Sequence, residues 1–266
     1  MKKILWVLLF ALSITSVQAD GDLTSLQRAI SGNQRSEEHK ARDIYRHPQQ
    51  TLEFFEVKGN MTVVEIWPGE GWYTEILAPY LKDKGKLYTA HFSPEAELPY
   101  HKKTLENFIK KMHKQPKVYG KVELTALEPP ELFKVAPDGS ADRVLTFRNV
   151  HNWMKNDQAA AVFSALYKAL KPGGILGVVE HRNNALKPQD TKAESGYVSE
   201  DYVIALARNA GFEFLGKSEI NANSKDTKEY PVWTLPPSLA LKDEDRNKYL
   251  DIGESDRMTI KFIKPK

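Results

Sequence analysis

Two short polar clusters carry the residue types that move protons. Arg148, Asn149 and His151 follow the run Asp142–Phe147, and Glu180, His181 and Arg182 close the run that starts at Gly174. An imidazole titrates near neutral pH, so His151 and His181 are candidate general bases. Each is able to take a proton from a hydroxyl or amine as that atom attacks an electrophile. Arg148 and Arg182 stand beside them as charge-holding groups. A lone histidine at a strand end is usually a structural hydrogen-bonder; two histidines and two arginines meeting at one edge make a candidate catalytic cluster. A third stretch, Val63-Val64-Glu65-Ile66-Trp67-Pro68-Gly69-Glu70-Gly71, passes from a β-branched run into two glycines. Gly69 and Gly71 let the backbone turn tightly and approach a ligand, and a helix start just beyond them presents unpaired N–H groups to a phosphate or carboxylate. Other chemistries lack their residues. Neither H-x-x-x-H nor H-E-x-x-H occurs, so no metal site is expected, and the serine-hydrolase elbow G-x-S-x-G is missing. The chain has no cysteine, which excludes disulfides, thiolate nucleophiles and cysteine-held metals.

These clusters need a scaffold that brings strand ends together, and the chain alternates strand and helix patterns. Compact β-branched or apolar runs predict strands over 61–67, 86–91, 117–124, 142–147, 174–181, 212–220 and 258–263. Helices are predicted over 72–81, from Ser93-Pro94 with interruptions to Lys114, over 155–170, and over 199–209 with Ser199 as cap and Gly211 as stop. Two short helices, 37–45 and 51–57, precede the first strand. The expected fold is α/β: a Rossmann-like, seven-stranded, mostly parallel sheet with helices on both faces. Its last strand is antiparallel, because no crossover helix separates the final two. Ligands of such sheets bind beyond the carboxyl ends of the strands, where the glycine turn and both histidine clusters fall. Residues 222–255 are long for a connection and rich in Trp, Tyr and Pro. A flap over the pocket is expected there, with a belt over an edge strand as the alternative.

Of the 266 residues, 41% are hydrophobic and 27% charged, which excludes a disordered or fibrous chain. The net charge is +3, and Lys2 and Lys3 supply two of those charges, so nucleic acid has no electrostatic support as a partner. The basic start, the apolar run Ile4 to Leu12 and Val17-Gln18-Ala19 together read as a secretory signal peptide cut after Ala19. That run is too short to span a bilayer, so no membrane partner is expected after cleavage. The expected organisation is a signal peptide (1–19), an N-terminal arm and helical cap (20–59) and a main domain (60–266), in an exported protein, periplasmic if bacterial. No protein partner can be inferred.

The sequence resembles the class I S-adenosylmethionine-dependent methyltransferases over roughly residues 50–265. Glu65 to Gly71 looks like their acidic-x-Gly-x-Gly loop, Ala169-Leu170-Lys171-Pro172-Gly173-Gly174-Ile175-Leu176 like the turn before their fifth strand, and Asp142 to Trp153 like their fourth strand and its loop. Within that family Gly71-Trp72-Tyr73-Thr74-Glu75, Glu180-His181-Arg182 and Gly253-Glu254-Ser255-Asp256-Arg257-Met258 are most similar to a group of exported, predicted methyltransferases. The resemblance implies S-adenosylmethionine as cofactor, a small-molecule methyl acceptor, and Glu65, Trp67, Gly69, Gly71, His91 and Asn149 as cofactor-binding residues; His151, His181, Arg148 and Arg182, read from the strand-end clusters, are the candidate catalytic ones. Trp67 stands where the family has its first glycine, and His91 where it has the acid that holds the ribose. These departures leave two alternatives: a degenerate fold that binds a periplasmic metabolite, or a non-methylating enzyme that uses His151 and His181.

Overall fold

The structure is a computed structural model, described here for residues 25–241 and 243–266; the expected leader lies outside the described residues. One eight-stranded sheet organises the chain, in the order β4-β3-β2-β1-β5-β6-β8-β7. Its strands are β1 (Thr62–Ile66), β2 (Lys86–His91), β3 (Val122–Glu128), β4 (Leu132–Lys134), β5 (Ala141–Phe147), β6 (Leu170–His181), β7 (Glu213–Ser218) and β8 (Arg257–Ile263). Pairing is parallel from β3 through β2, β1 and β5 to β6. It is antiparallel for β8 against both β6 and β7, and for β4 against β3.

The eighth strand, β4, is a correction to the expected seven. It is three residues long, lies at the edge of the sheet, and follows Pro129-Pro130 in a stretch that reads as a loop, too short to show a period of two. A second correction concerns Ser93-Pro94. The helix opens at Pro99 instead; Ser93-Pro94 starts a single turn, in which the Ser93 hydroxyl accepts from the Glu95 N–H and the Ser93 carbonyl from the Ala96 N–H, while the Ser93 N–H donates to Glu128 Oε2.

Helices cover both faces. Residues 25–31 form α1, followed by α2 (Glu37–Ala41), α3 (Asp43–Arg46), α4 (Pro48–Phe54), α5 (Thr74–Leu81), α6 (Pro99–Lys114), α7 (Pro116–Tyr119), α8 (Val150–Lys155), α9 (Ala159–Ala169), α10 (Glu200–Asn209) and α11 (Arg246–Ile252). None of the helices among the described residues is long and apolar enough to cross a membrane. The period of two along the strands divides the core. Val64, Ile66, Val144 and Val178 pack with Val162, Phe163 and Leu166 of α9 on one face. Val63, Leu145 and Val179 pack with Leu52 and Phe55 at α4 and with Ile76 and Leu77 of α5 on the other. The N-terminal cap reaches the sheet because β6 has a glycine under it: a Cβ on Gly177 would meet the Phe55 ring at 2.7 Å.

This double cover leaves the carboxyl ends of β1, β5 and β6 side by side. The cap and the chain's last turn meet behind those ends. Arg42 of the α2–α3 junction and Arg46 of α3 both reach Glu254, more than two hundred residues away, and Arg257 donates to the Tyr45 carbonyl.

Candidate functional site

A cavity of about 730 Å³ opens at the carboxyl ends of the strands. The β1 turn supplies Glu65, Trp67 and Gly69, the β5 end supplies Arg148, Asn149 and His151, and β6 supplies His181. Arg46 and Tyr73 come from the cap side. Val232, Trp233, Pro236 and Pro237, within 222–255, line the same cavity, as do the buried Glu254 and Ser255.

The β1 turn is built on left-handed backbone. Trp67, Gly69 and Gly71 have φ of 43°, 59° and 86°. Tryptophan carries a Cβ penalty of about 1–2 kcal/mol in that region, and its own packing holds it there. The indole N–H donates to the Leu127 carbonyl at 2.8 Å, and the ring meets Phe92, His101 and Trp153. Trp67 therefore ties the end of β1 to the end of β3. At Gly69 a Cβ would meet nothing within 4 Å, so the turn presents bare backbone to the cavity.

His91 does not face the cavity, against the expectation that it holds a ribose. Its Nδ1 accepts from the Phe92 N–H at 2.7 Å, which makes Nε2 the donor to the Gly69 carbonyl at 3.0 Å. Burial pushes its pKa down to about 4, with the Gly69 carbonyl opposing. His91 thus pins the glycine turn from behind as a neutral ring. Replacing it by leucine leaves the Gly69 carbonyl and the Phe92 N–H unpaired and is expected to cost about 2–4 kcal/mol, read as a fall in the urea midpoint. Glu128 is equally engaged, by the Ser93 N–H and by His101. Glu65, in contrast, accepts from the Thr74 hydroxyl at 2.6 Å, its one side-chain hydrogen bond among the described residues. Burial raises its carboxyl to about 7, against the pull of Thr74 and Lys111.

At the other end His151 and His181 come together, with ring centroids 5.4 Å apart. Glu180 organises them. Its Oε2 accepts from the Val150 and His151 N–H groups, the first two of α8, and so caps that helix. Its Oε1 accepts from the His181 N–H and lies 3.0 Å from His151 Nδ1. A carboxylate on Nδ1 fixes the tautomer that leaves His151 Nε2 as a lone-pair acceptor. His181 Nδ1 meets the Ser255 hydroxyl at 2.5 Å. Burial holds His181 well below the ordinary histidine value, and His151, Arg148, Arg257 and Arg46 push the same way.

Asn149 bridges strand ends, donating to the Ile66 carbonyl and the Thr146 hydroxyl. Arg182 departs from the expected cluster. It does not line the cavity and pairs with Asp256, Glu219 and Glu200, which raise its pKa. Three residues unassigned in the sequence reading stand in its place: Arg46, Glu254 and Ser255. Burial pushes Glu254 up, but Arg46, Arg257, Arg148 and Arg42 outweigh it and hold the carboxyl at about 2.

His151, Glu180 and His181 also place one possible metal-ligand atom each within 4.8 Å of one another. The donor set argues against a cation there. Four N–H groups already converge on Glu180, and several arginines surround the pair.

No protein-family model matches the chain, and no curated protein matches it either. Solved structures do. A SAM-dependent methyltransferase from Aquifex aeolicus superposes with a TM-score of 0.56 at 15% identity, over 91% of this chain and 98% of that one. The [4+2]-cyclase SpnF gives 0.58 at 15% identity, over 91% and 92%. The pyocyanin biosynthetic protein PhzM gives 0.52 at 13% identity, over 85% of this chain and 56% of its own. At these identities the likeness is one of fold: the Rossmann-like sheet of the methyltransferases. Because a protein named as a cyclase shares that sheet, function has to be argued from the site.

Proposed function

We propose that the chain is an S-adenosylmethionine-dependent methyltransferase acting on a small molecule, in an exported protein. The observation that carries this reading is the β1 turn, whose bare Gly69 backbone opens on a cavity at the strand ends in a methyltransferase-like sheet. The residues present fit the cofactor. Trp67, Phe92 and Tyr100 put aromatic rings at one end of the cavity, fit for an adenine. Glu65 lines the cavity at the β1 turn and offers a carboxyl to an ammonium group. The ribose finds less, since His91 is turned away and Glu128 is engaged.

When bound, S-adenosylmethionine supplies an electrophilic methyl group. The chain supplies placement and proton removal. Glu180 holds His151 so that Nε2 can accept the acceptor's proton. Asn149 keeps the ends of β1 and β5 in register, so the two halves of the site stay at a fixed distance. Trp233, with its ring 5.5 Å from that of His151, packs beside the base from the 222–255 side.

Thermal unfolding of residues 20–266 with S-adenosylmethionine and with S-adenosylhomocysteine tests the reading. At a hundred times the dissociation constant each ligand stabilises by about 2.7 kcal/mol, a shift of roughly 5–10 °C. No shift at millimolar ligand sinks it.

A further inference from the structure

The deep end of the cavity holds more positive charge than it neutralises. Arg42, Arg46 and Arg257 converge on the single carboxylate of Glu254 at 2.6, 3.1 and 3.0 Å. Even so, Arg42 Nη2 and Arg257 Nε are buried with no acceptor. Arg148 adds a fourth guanidinium. Its backbone N–H donates to the Val179 carbonyl at 2.7 Å, but its side chain makes no hydrogen bond or ion pair among the described residues. It lines the cavity beside His151 and His181.

Two properties mark Arg148 as held there for use. It stands at φ 63°, in the left-handed region that a side chain enters at a cost. It is also a fork of five donors facing space that a ligand can fill, and such a fork matches a carboxylate or phosphate with two parallel hydrogen bonds. The same positive field runs through its neighbours. Burial lowers the Arg46 guanidinium and Arg148 adds to the effect. A ligand with an anionic group relieves all of these groups at once, whereas a cation or an apolar group leaves them as they are.

We propose that Arg148, backed by Arg46, binds the carboxylate or phosphate group of the methyl acceptor, so that the acceptor is an anionic small molecule whose reacting atom is presented to His151. Assignment of that group to the acceptor rests on the methyltransferase reading; oxyanion binding at Arg148 does not.

The test is a titration of the full protein with inorganic phosphate and with benzoate at constant ionic strength, followed by tryptophan fluorescence, with and without saturating S-adenosylhomocysteine. Arg148→Asn is the informative variant, because asparagine tolerates the left-handed backbone; Arg148→Lys keeps the charge but loses the fork. The expected result is saturable binding of at least one probe, at least tenfold weaker in Arg148→Asn, intermediate in Arg148→Lys, and unchanged by S-adenosylhomocysteine. Preference for phosphate or benzoate names the oxyanion. No saturable binding, or equal binding by wild type and Arg148→Asn at an unchanged Tm, overturns the site. Displacement by S-adenosylhomocysteine overturns the acceptor assignment and gives the arginine to the cofactor's own carboxylate. If S-adenosylhomocysteine itself fails to bind, the methyltransferase reading falls, and the acceptor assignment with it, while the comparison between wild type and Arg148→Asn still decides the oxyanion site.

Discussion

Glu254→Gln should lower the stability of the protein by about 3–5 kcal/mol at pH 7, the usual cost of removing one member of a buried ion cluster. Glu254 is buried, accepts from Arg42, Arg46 and Arg257, and is the side chain that joins the N-terminal cap to the chain entering β8. Glutamine keeps the shape and loses the charge, leaving four arginines to repel one another. The pH dependence gives an independent measure. The folded carboxyl sits at about 2 against an ordinary 4.5. A depressed carboxylate contributes its full stability above the ordinary value and loses it as pH falls toward the folded one. Between pH 4.5 and 2 the wild type should therefore shed about 3 kcal/mol that the glutamine variant never had. Urea unfolding of both proteins at pH 7 and pH 2 reads the two numbers. A second substitution, Arg46→Met, should destabilise the wild type and partly rescue Glu254→Gln, a coupling that mere loss of packing does not produce. A Glu254→Gln variant within 1 kcal/mol of wild type at pH 7 would mean that the arginines do not depend on this carboxylate.

The same cluster shows where reading the sequence stops. Strands β1, β2, β5 and β8 are legible because each is a compact β-branched or apolar run, and the Lys171-Pro172-Gly173-Gly174 turn marks the entry to the parallel part of β6. His151, His181 and Arg148 are legible as polar residues that end such runs, since strand ends at one edge of a parallel sheet must meet. Arg46 and Glu254 have no such signal. They are paired across 208 residues, and an arginine in a short helix looks like a surface residue until the chain's other end is brought against it. Arg182 fails for a related reason. It follows His181 directly, and one step along an extended chain turns a side chain to the other side, toward Asp256 beside β8. His91 fails for a local one: its own neighbour's N–H and the Gly69 carbonyl claim both ring nitrogens, which sequence spacing does not reveal. The helix expected at Ser93 illustrates competition between two equivalent signals. Pro94 and Pro99 can each open a helix; the Ser93-Pro94 start closes one turn, with the Ala96 N–H on the Ser93 carbonyl, and the helix itself begins at Pro99.

Glu65→Gln should separate the acid chemistry of the β1 turn from its geometry. Burial lifts the folded carboxyl to about 7 from 4.5, while the Thr74 hydroxyl and Lys111 resist. A carboxyl raised in the folded state contributes stability that is complete below its unfolded value and is lost as pH climbs through the folded one. The wild type should therefore lose about 3 kcal/mol between pH 4.5 and pH 8 from this group. Glutamine can still accept from Thr74 and has nothing to ionise, so the variant's Tm advantage should grow by several degrees from pH 5 to pH 8. Ligand binding reverses the sense of the effect. A ligand that sets positive charge beside Glu65 binds its ionised form, and affinity should then rise by about tenfold per pH unit from pH 5 to pH 7 and level off above. Glu65→Gln should bind more weakly at pH 8 and show no slope. S-adenosylhomocysteine lacks the sulfonium charge of S-adenosylmethionine and keeps the ammonium. If the two ligands share one slope, Glu65 answers to the ammonium; if only S-adenosylmethionine shows it, the carboxyl senses the reacting sulfonium itself. A wild-type affinity that is flat from pH 5 to pH 8 for both ligands would place Glu65 outside the binding equilibrium and leave it as a packed, hydrogen-bonded element of the turn.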